Sequence, residues 1–92
     1  MINVGDRVKT TYSEREHIIK KITGPCMCEP YTNTIGMTNE KPKKHYHYRG
    51  VYCFDNGPSY FNNYDLEGNN VYNDDKITVI EKTKKPIQLS IF

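Results

Sequence analysis

Turn-forming clusters constrain this chain more than any other feature. Gly5-Asp6, Gly24-Pro25, Asp55-Asn56-Gly57-Pro58, Glu67-Gly68-Asn69-Asn70 and Asn73-Asp74-Asp75 divide its 92 residues into short pieces. Gly, Asn and Asp accept the unusual backbone angles of tight turns and Pro presets one of them, so each cluster ends the element before it. Between them lie runs rich in β-branched and aromatic residues: Arg7 to Tyr12, His17 to Thr23, His45 to Cys53, Ser59 to Tyr64 and Ile77 to Ile80. None carries a helical hydrophobic period, and Ser13 to Glu16 has room for one helical turn at most. The pattern predicts an all-β domain, a small antiparallel five-stranded barrel or rolled sheet.

Residues 30 to 44 contain Pro30, Asn33, Gly36, Asn39 and Pro42 with little periodic hydrophobicity. They read as a long loop, a feature that in compact domains is usually functional. The expected domain covers residues 1 to 81. A basic linker from Lys82 then leads to Ile87-Gln88-Leu89-Ser90-Ile91-Phe92, an apolar run expected to act as an edge strand and to offer a route to homo-oligomers.

A chain of this length buries only about two-thirds of the surface its unfolded form exposes. The mean hydropathy of −0.80 makes the core thinner still, so a staple such as a metal would matter. Cys26 and Cys28 stand two residues apart, as do His45 and His47. Extended side chains alternate faces with period two, so each pair points one way and the two pairs can converge on a tetrahedral centre, the Cys2His2 set of structural zinc. Cys53 has the parity of the histidines and is a substitute ligand, unless Gly50 introduces a bulge. A competing reading has ordinary thiols, Tyr46 and Tyr48 facing the core, and His45, His47 and Arg49 facing solvent. Three cysteines without an apolar leader segment argue for thiols or metal ligands over disulfides, and the expected location is the cytoplasm. No apolar run approaches the roughly 20 residues that span a bilayer.

Eight tyrosines and three phenylalanines exceed the needs of so small a core. Tyr46, Tyr48, Tyr52, Tyr60 and Tyr64, with Arg49, Asn62 and Asn63, are the candidate binding residues, although alternation assigns about half of the rings to the core. The net charge of +2 is weak for a duplex-DNA binder. A single-stranded nucleic-acid barrel is the alternative, with exposed tyrosines stacking bases and Arg49, Lys41, Lys43 and Lys44 following phosphates. No phosphate-cradling glycine loop or serine triad is present, and no base and orienting group accompany a cysteine. Asp74 and Asp75 beside Asn73 read as a turn rather than an acid and base. The chain is therefore read as a non-enzyme.

The segments VGDRVKT, ITGPC, YFNNYDLEG and NDDKITVIE resemble the order of elements in SH3-like barrels, including KOW-type modules. The chain is also similar to small bacteriophage and prophage proteins in which a GPCxC segment precedes HYH and a tyrosine-rich hairpin. The similarity covers most of residues 4 to 81. It implies a compact non-enzymatic module of a mobile genetic element, one that inhibits a host defence protein or sequesters a host nucleotide signal.

Overall fold

A computed structural model describes residues 1–83. The elements are β1 (Arg7–Thr10), β2 (His17–Cys26), α1 (Tyr31–Thr34), β3 (His45–Tyr52), β4 (Pro58–Tyr64) and β5 (Ile77–Glu81). The strands form one antiparallel sheet in the order β4-β3-β2-β1-β5. The all-β expectation is met, and four of the strands follow one another as a meander before β5 returns beside β1. The 30–44 segment contains a helical turn that sequence periodicity did not register. Asn33 organises this segment by bonding both backbone groups of Glu40: its Nδ2 donates to the carbonyl at 2.8 Å and its Oδ1 accepts from the N–H at 2.9 Å. The expected edge strand over residues 87 to 92, and any oligomer formed through it, lie outside the described residues.

Strand β3 is the ruler against which its neighbours are fitted. Pairs Ile19↔Gly50 and Lys21↔Arg49 leave Lys20 as an extra residue on β2; Thr23↔His47 and Cys26↔His45 leave Gly24 and Pro25 opposite Tyr46 alone. On the other side, Tyr46↔Tyr64 and Tyr48↔Phe61 place Asn62 and Asn63 opposite His47 alone. A bulge inserts one residue and shifts which face the following side chains occupy. Hence Ile19 and Ile22, three apart, both pack toward the core, as do Phe61 and Tyr64. Asn63 takes the left-handed conformation, φ 72°, that this bulge requires and that Asn tolerates better than most residues. Gly50 is not a bulge residue. It permits close approach between strands, since a Cβ there would lie 2.6 Å from the Ile18 carbonyl oxygen.

The core consists of Ile2, Val8, Ile19, Tyr48, Phe61, Tyr64 and Ile77, with Val4, Ile22, Tyr46 and Val79 packed against it. Strands β4 and β5 are the sheet edges, and the segment between them crosses from one to the other. It makes isolated bridges Tyr64↔Asn70 and Asn69↔Lys76, and Gly68 accepts a hydrogen bond from the Ile77 N–H at 2.8 Å. Asp74 and Asp75, considered above as an acid and base, accept hydrogen bonds from the hydroxyls of Tyr12 and Tyr64 and fasten this segment to the sheet. Asp6 is fully buried and accepts from the backbone N–H of Asn3 and Thr83 and from Lys82 Nζ at 2.8 Å. Lys82 and Thr83 are thus tied into the domain rather than forming the start of a solvated linker. No helix among the described residues is long and apolar enough to cross a membrane.

Candidate metal centre

Because the extra residues lie on its neighbours, β3 alternates without interruption, and His45, His47 and Arg49 share the face opposite Tyr46 and Tyr48. His45 is nevertheless fully buried. The thiol of Cys28, the Lys43 carbonyl and the rings of His47 and Tyr72 lie against it, the Tyr72 ring centre 6.0 Å from that of His45. Gly24, with φ 136°, makes the approach to β3 possible: a Cβ there would lie 2.8 Å from the Tyr46 ring. The Gly24-Pro25 peptide is cis. Sequence reading ended the strand at this pair, whereas pairing resumes beyond it and sets Cys26 opposite His45.

The two cysteines and two histidines come together. One ligand atom from each of Cys26, Cys28, His45 and His47 lies within 4.8 Å of every other. Cys28 Sγ is 3.2 Å from His45 Nε2 and 3.4 Å from His47 Nε2. A tetrahedral zinc ion with Zn–S of about 2.3 Å and Zn–N of about 2.0 Å requires its ligand atoms to stand roughly 3.3 to 3.8 Å apart. The two Cys28 separations match that range to about 0.1 Å and the remaining ones are no greater than 4.8 Å, so the set closes around an ion with shifts of about an ångström or less.

The outer contacts orient both rings. His45 Nδ1 lies 2.6 Å from the Lys43 carbonyl oxygen. A backbone carbonyl only accepts, so Nδ1 carries the proton and Nε2 directs its lone pair at the thiols. His47 Nδ1 donates in the same sense to Asn62 Oδ1 at 2.9 Å. An acceptor behind the non-ligating nitrogen is the usual arrangement for metal-bound histidine. The sulfurs are differentiated as well. The Cys28 backbone N–H donates to Cys26 Sγ at 3.3 Å, and chiefly through this bond, aided by His47, the Cys26 thiol is pushed down to about 7. Burial and the neighbouring Cys26 push the Cys28 thiol up.

Other sequence candidates are distributed differently. Cys53 is exposed, its N–H bonds the Glu16 carbonyl, and it stands beyond the far end of β3, so it is not a ligand here. Tyr48 and Tyr64 are core residues, 1% and 5% exposed, and do not belong to a binding surface; the hydroxyl of Tyr48 donates to the Asp65 carbonyl. Tyr46 packs against the core and Asn63 serves the β4 bulge. Tyr52 packs at a tilt against the buried His17, ring centres 4.5 Å apart, and the Arg15 guanidinium lies 5.6 Å from its ring centre. Arg49, Tyr60 and Asn62 remain on the outer face, joined there by Lys21 and Thr23 from β2. The last two were missed because their strand parity changes at Lys20. Comparison of the chain with protein-family models, with curated proteins and with solved structures finds no match in any of the three.

Proposed function

We propose that this chain is a small non-enzymatic binding module whose sheet is clamped by one structural zinc ion. The observation that carries this reading is the convergence of Cys26, Cys28, His45 and His47, with both histidines held by acceptors behind Nδ1. Two thiolates and two imidazoles suit zinc, and four protein ligands fill a tetrahedral ion and leave it no position for a reacting water. That saturation argues for a structural ion over a catalytic one. The module is of the SH3-like kind, and its surface functions within a mobile element's protein set, acting in the host cytoplasm on a host nucleotide signal or defence protein.

The test is native mass spectrometry with elemental analysis on tag-free protein purified in reductant. One zinc per chain, lost in Cys28→Ser and His47→Ala together with thermal stability, supports the clamp. Metal-free protein of undiminished stability in the presence of micromolar zinc refutes it.

A further inference from the structure

The outer face of β2, β3 and β4 beside the metal centre carries two rows of side chains. The pairings Lys21↔Arg49 and Arg49↔Tyr60 set Lys21, Arg49 and Tyr60 in one line across the three strands. Two residues along each strand, Thr23, His47 and Asn62 form the second line, with Thr23↔His47 paired and His47 bonded to Asn62. Together with Tyr48, between His47 and Arg49 on β3, these rows line a groove of about 190 Å³.

The chemistry of the lining is specific. Lys21 and Arg49 have no acidic partner within ion-pair distance among the described residues, so two positive charges meet across one groove without a counter-charge from the protein. Tyr60 is 62% exposed although it lies mid-strand, and the Arg49 guanidinium sits 5.7 Å from its ring centre. Asn62 uses its oxygen on His47, which leaves its amide N–H groups to donate outward. Paired cations favour a phosphate, a guanidinium bonds it in two places, and a tyrosine ring as exposed as Tyr60 favours a flat ring. The groove is smaller than the roughly 300–1,000 Å³ of sites that enclose drug-sized ligands. It therefore grips one phosphate and one ring, with the remainder of the ligand in solvent.

We infer that this groove is a nucleotide site: Lys21 and Arg49 bind the phosphate, Tyr60 stacks on the base, and Asn62 donates to it. The inference rests on the reading of the chain as a binding module and specifies its ligand. His47 belongs both to the candidate metal set and to the groove wall, so a bound ion would hold the ring to which Asn62 is bonded. The nucleotide can be free or one unit of a single strand, since both present the same phosphate and ring.

The experiment is a titration of zinc-loaded, isotope-labelled protein followed by NMR, with adenosine 5′-monophosphate, uridine 5′-monophosphate, adenosine, inorganic phosphate and a thymidine hexanucleotide as probes. The expected result is amide shifts centred on Lys21, Arg49, Tyr60 and Asn62. At least one 5′-monophosphate or the hexanucleotide should bind ten-fold or more tightly than adenosine or phosphate. Arg49→Ala and Tyr60→Ala, both exposed positions, should each weaken that binding about ten-fold while the zinc content stays at one per chain. A hexanucleotide preferred over the monophosphates, with affinity falling steeply in salt, identifies a strand as the source; equal or weaker binding identifies a free nucleotide. The inference is overturned if zinc-loaded protein shows no saturable shifts with any probe, or if they centre on the cleft lined by Arg15, Tyr52 and Phe54. Either result leaves the zinc clamp standing. Nucleotide binding by protein that takes up no zinc would support the groove and remove the clamp.

Discussion

The two halves of β2 are held by different physics. Its first residues lie between β1 and β3: His17 faces Val8 and Tyr52, Ile18 faces Arg7 and Val51, and Ile19 is fully buried in the core. From Lys20 onward β1 no longer accompanies it, and of the residues up to Cys26 only Ile22 packs against the apolar cluster. The second half instead brings Cys26 and Cys28 against His45 and His47, the set proposed to hold the ion. A domain this small cannot extend one apolar core along a ten-residue strand, and the proposed four-ligand centre would supply the anchorage where apolar area is lacking.

Removing the ion should separate the halves most sharply. Chelation of the zinc-loaded protein, or Cys28→Ser, is expected to cost about 3 kcal/mol or more, since binding of a structural ion is part of the folding free energy. A domain of this size loses roughly 4–8 °C of melting temperature per kcal/mol, so the midpoint should fall by at least about 12 °C. Hydrogen exchange should accelerate from Ile22 to Cys28 and from Lys43 to His47 before it does at Ile18 and Ile19. Uniform acceleration along β2 would mean that the halves are one unit.

The opposite cut is Ile19→Ala. Burial with no exposure predicts a loss of about 2–4 kcal/mol by denaturant unfolding. Zinc stoichiometry should remain one per chain, and a loss of metal in the folded variant would join the two regions energetically.

Asp6→Asn should cost about 1–3 kcal/mol, because the charge-assisted bond from Lys82 is lost and a buried acceptor is weakened. Burial pushes this carboxyl up, but the bonds from Lys82, Thr83 and Asn3 outweigh it and hold it below the usual aspartate value. The unfolded chain therefore binds this proton more readily than the native state. The stabilisation is complete above the unfolded value of about 4 and is lost as pH falls through the lower native one. Acid melts of wild type and Asp6→Asn should converge there, and parallel curves would rule out the carboxylate as their cause.

The smallest stability effect is expected from Asn62→Ala. Loss of the acceptor behind His47 should lower zinc affinity about ten-fold with little change in melting temperature at saturating zinc. Affinity should also fall as pH drops below about 7, where the Cys26 thiol is protonated and protons compete with the ion. Competition with a chromogenic chelator at two pH values measures both, and an affinity insensitive to Asn62 would show that the His47 contact does not orient the ring.

Strand positions were legible because turn clusters and β-branched runs are local features, and the ligand pairs because period two operates over three residues. What could not be read depends on pairing. Lys20, Gly24, Pro25 and Asn63 become extra residues only against β3, and no local signal shows that Ile19 and Ile22 share a face across a bulge. For the same reason Lys21 and Thr23 were not grouped with Arg49, and period two alone left open which of the candidate tyrosines, Tyr48, Tyr60 and Tyr64 among them, line the core. Alternation correctly assigned His45 to the face away from the core but equated that face with solvent. Its burial comes from groups beyond β3, Cys28, Lys43 and Tyr72 among them, which strand parity does not describe. The buried Asp6 likewise depends on Lys82, a partner 76 residues away.

A clamp formed across seventeen residues, between Cys28 and His45, also changes what the chain between them must do. A bound ion would fix its two ends, so its length would contribute to closure only logarithmically, about 0.6 kcal/mol for each doubling. At Gly36 an added Cβ would meet no atom within 4 Å, so the chain there faces open space. A peptide epitope or a reporter domain spliced in there should therefore cost the fold little so long as the centre at both ends stays closed.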